Sequence, residues 1–291
     1  MINKQTVEQE LEQLQSLTML VETYEVIAGT SVRQIRDSVL ANRAFHLGLN
    51  RMYREITAAY QRKVRRLMEK KKTQTKGVGV SFMKHTKQTV LMLVSANTGL
   101  YGDLISRAFA VFITEAKRTE ADIVIIGRMG KIFFEDSMPG KTFTYFDFPD
   151  NAVSIENLKA ISEFLASYEK VVAFYAVFKN LLTQEVKASI VSGAELPAEN
   201  PEENPPQSYL FEPSLEEVAL FFEKEIFASL LEQVFQESRL AKLASRMVLL
   251  DHTVINIETE LKRTMQTKYR VWHRMANRQL LNSLSGVALW R

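Results

Sequence analysis

Apolar residues recur at alternating spacings of three and four along the first sixty positions. The series contains Leu11, Leu14, Thr18, Val21, Glu25, Ala28, Val32, Ile35, Val39, Asn42, His46, Leu49, Tyr53, Ile56 and Tyr60, and eleven of these fifteen residues are apolar or aromatic. The same spacing returns at Met247, Leu250, Val254, Ile257 and Leu261. This repeat is typical of coiled coils. It predicts two long antiparallel helices that pack against each other in a left-handed supercoil.

The positions of glycine and proline support two long helices. All seven prolines lie between Pro139 and Pro213, and residues 214–285 contain neither glycine nor proline. Ser214 and Glu217 form a capping box directly after Pro213, the signature of a helix start. We therefore predict helices over about 5–70 and 214–288. A helix as long as the second is about 110 Å long, too long for a compact globule of this chain length.

The middle of the chain alternates between strand and helix patterns. Strands are predicted at 87–96, 121–127, 170–178, 186–191 and 208–213, and helices at 104–117 and 154–167. Such alternation is typical of an α/β domain with a largely parallel sheet. The predicted fold is a long antiparallel coiled coil of the two terminal helices, with a Rossmann-like α/β domain inserted between them. The predicted segments are 1–76, 77–213 and 214–291.

The composition argues against several classes of site. The chain has no cysteine, which excludes disulfides and thiolate chemistry. The four histidines, His46, His85, His252 and His273, have no ligand-like spacing, and no local Ser/His/Asp set is present. We expect no catalytic residue, metal site or cofactor site. No apolar run reaches eighteen residues and the first residues lack a secretory signal pattern, so neither a membrane span nor a signal peptide is expected.

Three glycine pairs invite a phosphate-binding interpretation. They are Gly77 with Gly79, Gly99 with Gly102, and Gly127 with Gly130. None completes a dinucleotide or phosphate-loop motif. Gly99 and Gly102 lie between a predicted strand and a predicted helix, so we interpret them as a structural turn.

Charge and exposed apolar residues suggest partners. The net charge is +6 over residues 1–76, −5 over 77–213 and +2 over 214–291. The basic run at 62–76 has no interleaved aromatic residue, which argues against single-stranded nucleic acid and leaves an acidic protein or a membrane-associated surface possible. The tail retains Trp272, Met275, Leu280, Leu281, Val287, Leu289 and Trp290. On a single helix these groups need a partner.

Several segments resemble the γ subunit of F-type ATP synthase. Residues 25–45 are similar to the first helix of that family through Glu25, Ala28, Arg33, Asp37, Ala41 and Arg43. Residues 95–106 match its central turn through Ser95, Gly99, Leu100 and Gly102, and 123–134 and 211–218 match two further segments. Residues 238–261 resemble its last helix through Ser238, Ala244, Arg246, Met247 and Asn256.

The chain departs from the family near its C-terminus. The closing signature of the family carries two carboxylates, whereas this chain has Gln279 and Asn282 at those places. Asp103 replaces a glycine of the central turn. The chain is therefore identified as a divergent member.

The resemblance implies a non-catalytic rotor shaft that couples ion flow through a membrane ring to chemistry on β subunits. The implied partners are three α and three β subunits, an ε-type stalk subunit and the ring, with no nucleic acid and no membrane insertion. The implied location is the cytoplasmic face of a bacterial membrane. The implied contacts with the head are Arg33, Asp37, Arg43, Lys268, Arg274, Gln279, Asn282 and Trp290. A nucleotide-binding α/β enzyme with helical arms, and a coiled-coil adaptor for an acidic partner or nucleic acid, remain as alternatives.

Overall fold

The computed structural model of the chain describes residues 4–71, 87–192, 212 and 214–288. It contains the helices α1 Lys4–Lys71, α2 Leu104–Arg118, α3 Arg128–Ser137, α4 Ile155–Leu165 and α5 Leu215–Ala288, and the strands β1 Lys87–Val94, β2 Asp122–Ile126, β3 Thr144–Phe146, β4 Tyr168–Phe178 and β5 Gln184–Ile190. Both long helices are confirmed. The predicted strand at 208–213 lies, apart from Glu212, outside the described residues.

Contacts within the chain group it into two units. One unit, called the helical unit below, consists of Met1–Ser31 and Arg246–Arg291, and the other, called the sheet unit, is Val32–Ser245. The segments predicted from the sequence divide the chain at the ends of the long helices, whereas the contacts group parts of both helices with the sheet.

In the helical unit the two helices meet along the predicted apolar seam. Val21, Ala28, Leu250 and Ile257 are buried there, and Leu14, Met247, Val254 and Leu261 pack against them. A Cβ on Gly29 would lie 3.8 Å from the Met247 side chain, and Lys4 lies over the ring of Trp272 at 5.8 Å. Residue numbers rise along one helix as they fall along the other, so the helices are antiparallel, as predicted.

Among the described residues of the sheet unit, five strands form one sheet in the order β3-β2-β1-β4-β5. β1 pairs in parallel with β2 and β4, β3 extends the parallel part, and β5 pairs antiparallel with β4. The largely parallel sheet is confirmed. The sequence patterns missed α3 and β3, because α3 begins directly after β2 and β3 has only three residues, too few to show a period.

The sheet is covered on both faces, which explains the continuous apolar runs of its central strands. On one face Val90, Met92 and Val94 pack with Ile161 of α4 and Leu231 of α5. On the other face Leu91 and Leu93 pack with Phe112 of α2 and Phe134 of α3. Alternate residues of β1 thus point to opposite faces of the sheet and pack in two different apolar clusters. The α1 seam continues in this unit, where Val32, Ile35 and Val39 pack with Leu240.

Candidate functional site

The helical unit exposes a second apolar stripe on α1 beside the buried seam. Leu17, Leu20, Tyr24 and Ile27 are each 45–55% exposed. Their spacing of three, four and three places them on one helix face. This stripe was not predicted from the sequence. The heptad series that predicts the buried seam does not include these four residues, which form a second apolar series on the same helix.

The α5 part of the helical unit is also apolar on its surface. Exposed side chains there are Met265, Tyr269, Trp272, Met275, Leu280, Leu281 and Leu284. The exposure expected for Trp272, Met275, Leu280 and Leu281 is confirmed, while the side chains of Val287, Leu289 and Trp290 lie outside the described residues. Exposed apolar surface spread over two packed helices is typical of a protein interface.

The charged residues near the end of α5 are all basic. After Glu260 the sequence has no acidic residue, and Lys262, Arg263, Lys268, Arg270, Arg274 and Arg278 follow. Cations among apolar groups favour a partner that offers apolar pockets with acidic groups nearby. The arrangement can bind a protein through its apolar groups and its cations.

The predicted head contacts fall in both units. Arg33 and Asp37 are exposed on the α1 part of the sheet unit. Lys268 is half-buried, and Arg274, Gln279 and Asn282 are exposed, on the α5 part of the helical unit. Trp290 lies outside the described residues.

Arg43 has a partner within the chain. Its Nε donates to Oε1 of Glu237 at 2.8 Å, and the Glu237 side chain is only 6% exposed. Gln233 donates to the same oxygen at 3.0 Å. Arg43 thus joins α1 to α5 inside the sheet unit. Because the Glu237 carboxylate is buried while Arg43 is 35% exposed, removing Arg43 would leave a buried carboxylate without its cation and lower the stability of the fold. Sequence analysis missed Glu237, because its partner lies almost two hundred residues away.

The buried carboxylate of Glu237 affects Tyr175 on β4. Burial raises the pKa of Tyr175 to about 12, with repulsion by Glu237 adding to the rise and a hydrogen bond with Ser189 opposing it. The folded state therefore holds this proton more tightly than the unfolded state, whose tyrosine has a pKa of about 10.

We expect this difference to make the protein less stable at alkaline pH. The contribution of protonated Tyr175 to the free energy of unfolding is fully present below about pH 10. It is lost as the pH rises toward 12, by about 1.4 kcal/mol per pH unit at most. Urea unfolding of the wild type and Tyr175→Phe across this range measures the effect. The wild type should have the steeper loss, and equal slopes would contradict the assignment. Glu237→Gln should lower the Tyr175 pKa, measured by tyrosinate absorbance.

The turn after β1 is fixed by backbone conformation. Gly102 is left-handed with φ +56°, which favours glycine. Gly99 has no such φ and a Cβ there would meet no atom within 4 Å. Leu100 instead has φ 66° and an exposed side chain. Of the two predicted turn glycines, only Gly102 therefore has a conformational need for glycine.

Close packing explains why glycine is needed at Gly127 and Gly130, where the glycine spacing had invited a phosphate-binding interpretation. A Cβ on Gly127 would lie 2.8 Å from the Ala96 nitrogen, and one on Gly130 would lie 2.8 Å from the Ser95 Cβ. Met129 N donates to Ala96 O at 2.8 Å. The glycines let the start of α3 pack directly on the chain that leaves β1.

Asp150 organises the carboxyl end of the sheet. One of its oxygens accepts from the Asn97 and Thr98 amides and from the Thr98 hydroxyl, at 2.9–3.1 Å. The other accepts from Lys242 of α5 at 2.9 Å. Burial alone would raise the pKa of Asp150, but Lys242 and the donors of the turn outweigh it and hold the pKa below its ordinary value. No local sequence pattern points to Asp150 or Lys242, because the two residues are far apart in the chain.

The carboxyl end of a parallel sheet is where α/β proteins usually bind ligands. Here Lys242 donates to Ser95 O at 3.0 Å and Ser245 donates to Tyr101 O at 2.8 Å. The cavity left beside Ser95, Asp150, Arg239 and Lys242 measures about 10 Å³. That volume is about what one water molecule needs. Side chains of α5 therefore line this end of the sheet and leave space for about one water molecule.

Among the described residues, no helix has a stretch both long enough and apolar enough to cross a bilayer. Within the same ranges no group of three His, Cys, Asp or Glu residues could hold a metal ion.

The chain is similar to known proteins along most of its length. The sequence model of the ATP synthase family matches residues 3–272. The chain is 24% identical over 265 residues to an ATP synthase gamma chain of Chloroflexus aurantiacus, covering 84% of this chain and 86% of that one. It is 21% identical over 282 residues to the gamma chain of Flavobacterium johnsoniae, covering 92% of each.

A solved structure has the same fold. The chain resembles one in the Tetrahymena thermophila mitochondrial ATP synthase central stalk and c-ring, with a TM-score of 0.52, 17% identity, and coverage of 80% of this chain and 99% of that one. At this identity the likeness concerns the fold.

Proposed function

The chain belongs to the family of ATP synthase gamma chains, and from this membership we propose that it is the rotor shaft that couples ion flow to ATP chemistry. As a gamma subunit it is a non-catalytic part of the central stalk, and the catalytic sites lie on the β subunits. Ion flow through the membrane ring would turn the shaft during synthesis, and ATP hydrolysis would turn it in the opposite direction.

The observation that carries the proposal is the apolar surface on both helices of the helical unit. The stripe of Leu17, Leu20, Tyr24 and Ile27, together with the exposed groups of α5 such as Trp272, supplies the contact with a catalytic head of three α and three β subunits. The two helices carry different residues, so a rotating pair presents a different face to each β subunit. Each face can change nucleotide affinity only by binding one β conformation better than another.

The predicted contacts are assigned on the same basis. Arg274, Gln279 and Asn282 are exposed on α5 and are proposed to contact the head, with Lys268 and Trp290. Arg33 and Asp37 are proposed to do so from α1. Arg43 is 35% exposed beside Glu237, so its proposed contact would use the edge of a guanidinium already held in place.

The remaining partners are proposed at the sheet unit and the basic run at 62–76. The run carries eight lysines and arginines, which favours attachment to an acidic surface of the membrane ring and an ε-type subunit. In this proposal the chain is a peripheral subunit on the cytoplasmic face of a bacterial membrane.

Native mass spectrometry of the tagged chain, purified from its own membranes, tests the proposal. A complex with three α, three β and one copy of this chain supports it. Recovery with nucleic acid or with an unrelated acidic protein, and without α and β subunits, would favour the adaptor alternative. Tight binding of ATP by the isolated chain in calorimetry would favour an enzyme.

The end of α5 is expected to act as an apolar bearing. At positions 279 and 282 the side chains are Gln279 and Asn282 instead of carboxylates, so these two positions offer neutral hydrogen bonds of about 0.5–1.5 kcal/mol each, too weak to anchor the end alone. Deleting residues 280–291 should leave assembly intact and lower the ATPase rate only partly, because the seam around Val21 and Ile257 remains.

Gln279→Ala should change the ATPase rate less than this deletion does. The measurement is ATP hydrolysis by purified complexes of equal subunit composition. Complete loss of activity with Gln279→Ala alone would show that the tip makes a specific coupling contact.

A further inference from the structure

A buried ion pair joins α5 to the sheet. Lys242 Nζ donates to Asp150 Oδ1 at 2.9 Å, and the two side chains are only 9% and 6% exposed. The same ammonium donates to Ser95 O at 3.0 Å, where the chain leaves β1. One helical turn later, Ser245 donates to Tyr101 O at 2.8 Å. The two α5 donors therefore hold both ends of the turn after β1.

The carboxylate extends this connection into the sheet. Its Oδ2 accepts from the amides of Asn97 and Thr98. Asn97 in turn accepts from Arg128 N at 2.8 Å and donates to Asp147 at 2.6 Å. A sideways force on α5 at Lys242 thus reaches the segments that follow β1, β2 and β3 through charged and backbone hydrogen bonds.

The ion pair adds a directional contact to the apolar packing of α5 on the sheet. Phe235 of α5 stacks on Phe148 with ring centroids 4.3 Å apart and an interplanar angle of 28°. The attraction between apolar groups has little directional preference. Hydrogen bonds depend steeply on angle, so the Lys242–Asp150 pair restrains the direction in which α5 can move against the sheet.

We propose that Lys242 and Asp150 form a torque-bearing latch that keeps α5 from slipping against the sheet under load. Both are positioning residues that act through the contact of α5 with the sheet. The proposal rests on the rotor function proposed above and adds to it the point where force passes between helix and sheet.

The test separates force transmission from stability. In Lys242→Met the Asp150 carboxylate loses its cation, and in the double variant Lys242→Met with Asp150→Leu both charges are replaced by apolar groups. Replacing a whole buried pair by apolar residues is often neutral or stabilising, whereas removing one partner is destabilising. The double variant should therefore recover the thermal midpoint of the wild type without recovering the directional link.

Stall torque is measured on single complexes that hold the full chain, with the head fixed and a magnetic bead on the ring. We expect about twofold lower stall torque in both variants. In the double variant the unloaded ATPase should stay close to wild type, because the exchange of a buried pair for apolar groups preserves packing. Lys159→Met is the matched control, because Lys159 pairs with Glu163 on an exposed surface, and its torque should be unchanged.

The outcomes distinguish the two proposals. Normal stall torque in the double variant, or torque that follows the thermal midpoint in all variants, would overturn the latch and leave the rotor function standing. Failure of the wild-type chain to assemble with α and β subunits would overturn the rotor function itself. Low torque in a double variant of wild-type stability supports the latch.

Discussion

Replacing Gly127 by alanine is expected to cost the sheet unit about 4 kcal/mol of its free energy of unfolding. Gly127 has φ +94° and ψ 143°, a conformation in which a non-glycine residue pays about 1–3 kcal/mol. The added Cβ would also lie 2.8 Å from the Ala96 nitrogen and 3.0 Å from its carbonyl carbon. These are backbone atoms at the end of β1, so no side-chain rotation relieves the clash, and overpacking adds about 1–3 kcal/mol.

Two other glycines provide matched controls for Gly127. Gly140 has φ +86° but nothing within 4 Å of its Cβ position, so Gly140→Ala tests the backbone cost alone. Gly99 has neither feature, so Gly99→Ala should be close to neutral. Urea unfolding of the full chain measures all three. Equal losses for Gly127→Ala and Gly140→Ala would show that the clash is relieved and that the close packing of α3 is not required.

Placing an aspartate at Val21 is expected to open the seam of the helical unit. Val21 is 5% exposed among Ala28, Leu250 and Ile257. A carboxylate there must lose its water, take up a proton or separate the helices, and each of these costs free energy, so we expect a loss on the order of 4 kcal/mol. Hydrogen exchange of the amides in 4–31 measures the opening.

The matched control for Val21 lies on the same helix. Val26 is 68% exposed, so Val26→Asp makes the same chemical change in contact with water. In the isolated chain this control should leave exchange nearly unchanged. Comparable acceleration by both variants would mean that α1 is not held by the seam. In the assembled complex we also expect Val21→Asp to abolish coupled ATPase activity.

The long helices were predictable because their signals are local and repeated. Each turn of α1 and α5 repeats the same spacing, and tens of residues without glycine or proline leave few competing structures. The seam residues Leu14, Val21, Ile35, Val254 and Leu261 were predicted by spacing alone, and all five pack in apolar clusters. The capping box was equally local, and Glu217 N donates to the Ser214 hydroxyl at 3.1 Å.

The candidate surface was only partly predictable. Among the exposed groups of α5, Trp272, Met275, Leu280 and Leu281 were expected because they continue beyond the heptad series, whereas Met265, Tyr269 and Leu284 were not singled out. The stripe of Leu17, Leu20, Tyr24 and Ile27 was missed, because an apolar residue beside a seam carries the same pattern whether a neighbour covers it or not. Only the position of the second helix decides which of two adjacent apolar stripes is buried.

The sequence by itself determined the two helices, the seam that joins them, the strand–helix alternation and the family. Only the tertiary structure decided which charged side chains are buried. It also decided why glycine is needed at Gly102, Gly127 and Gly130, through positive φ or close packing. Lys242 and Asp150 are ninety-two residues apart and Arg43 and Glu237 are further apart still, so no local spacing connects them. A periodic pattern arises because one face of a helix or strand is buried again and again along its length. An ion pair or a close backbone contact occurs once, and it depends on which distant segments the fold brings together.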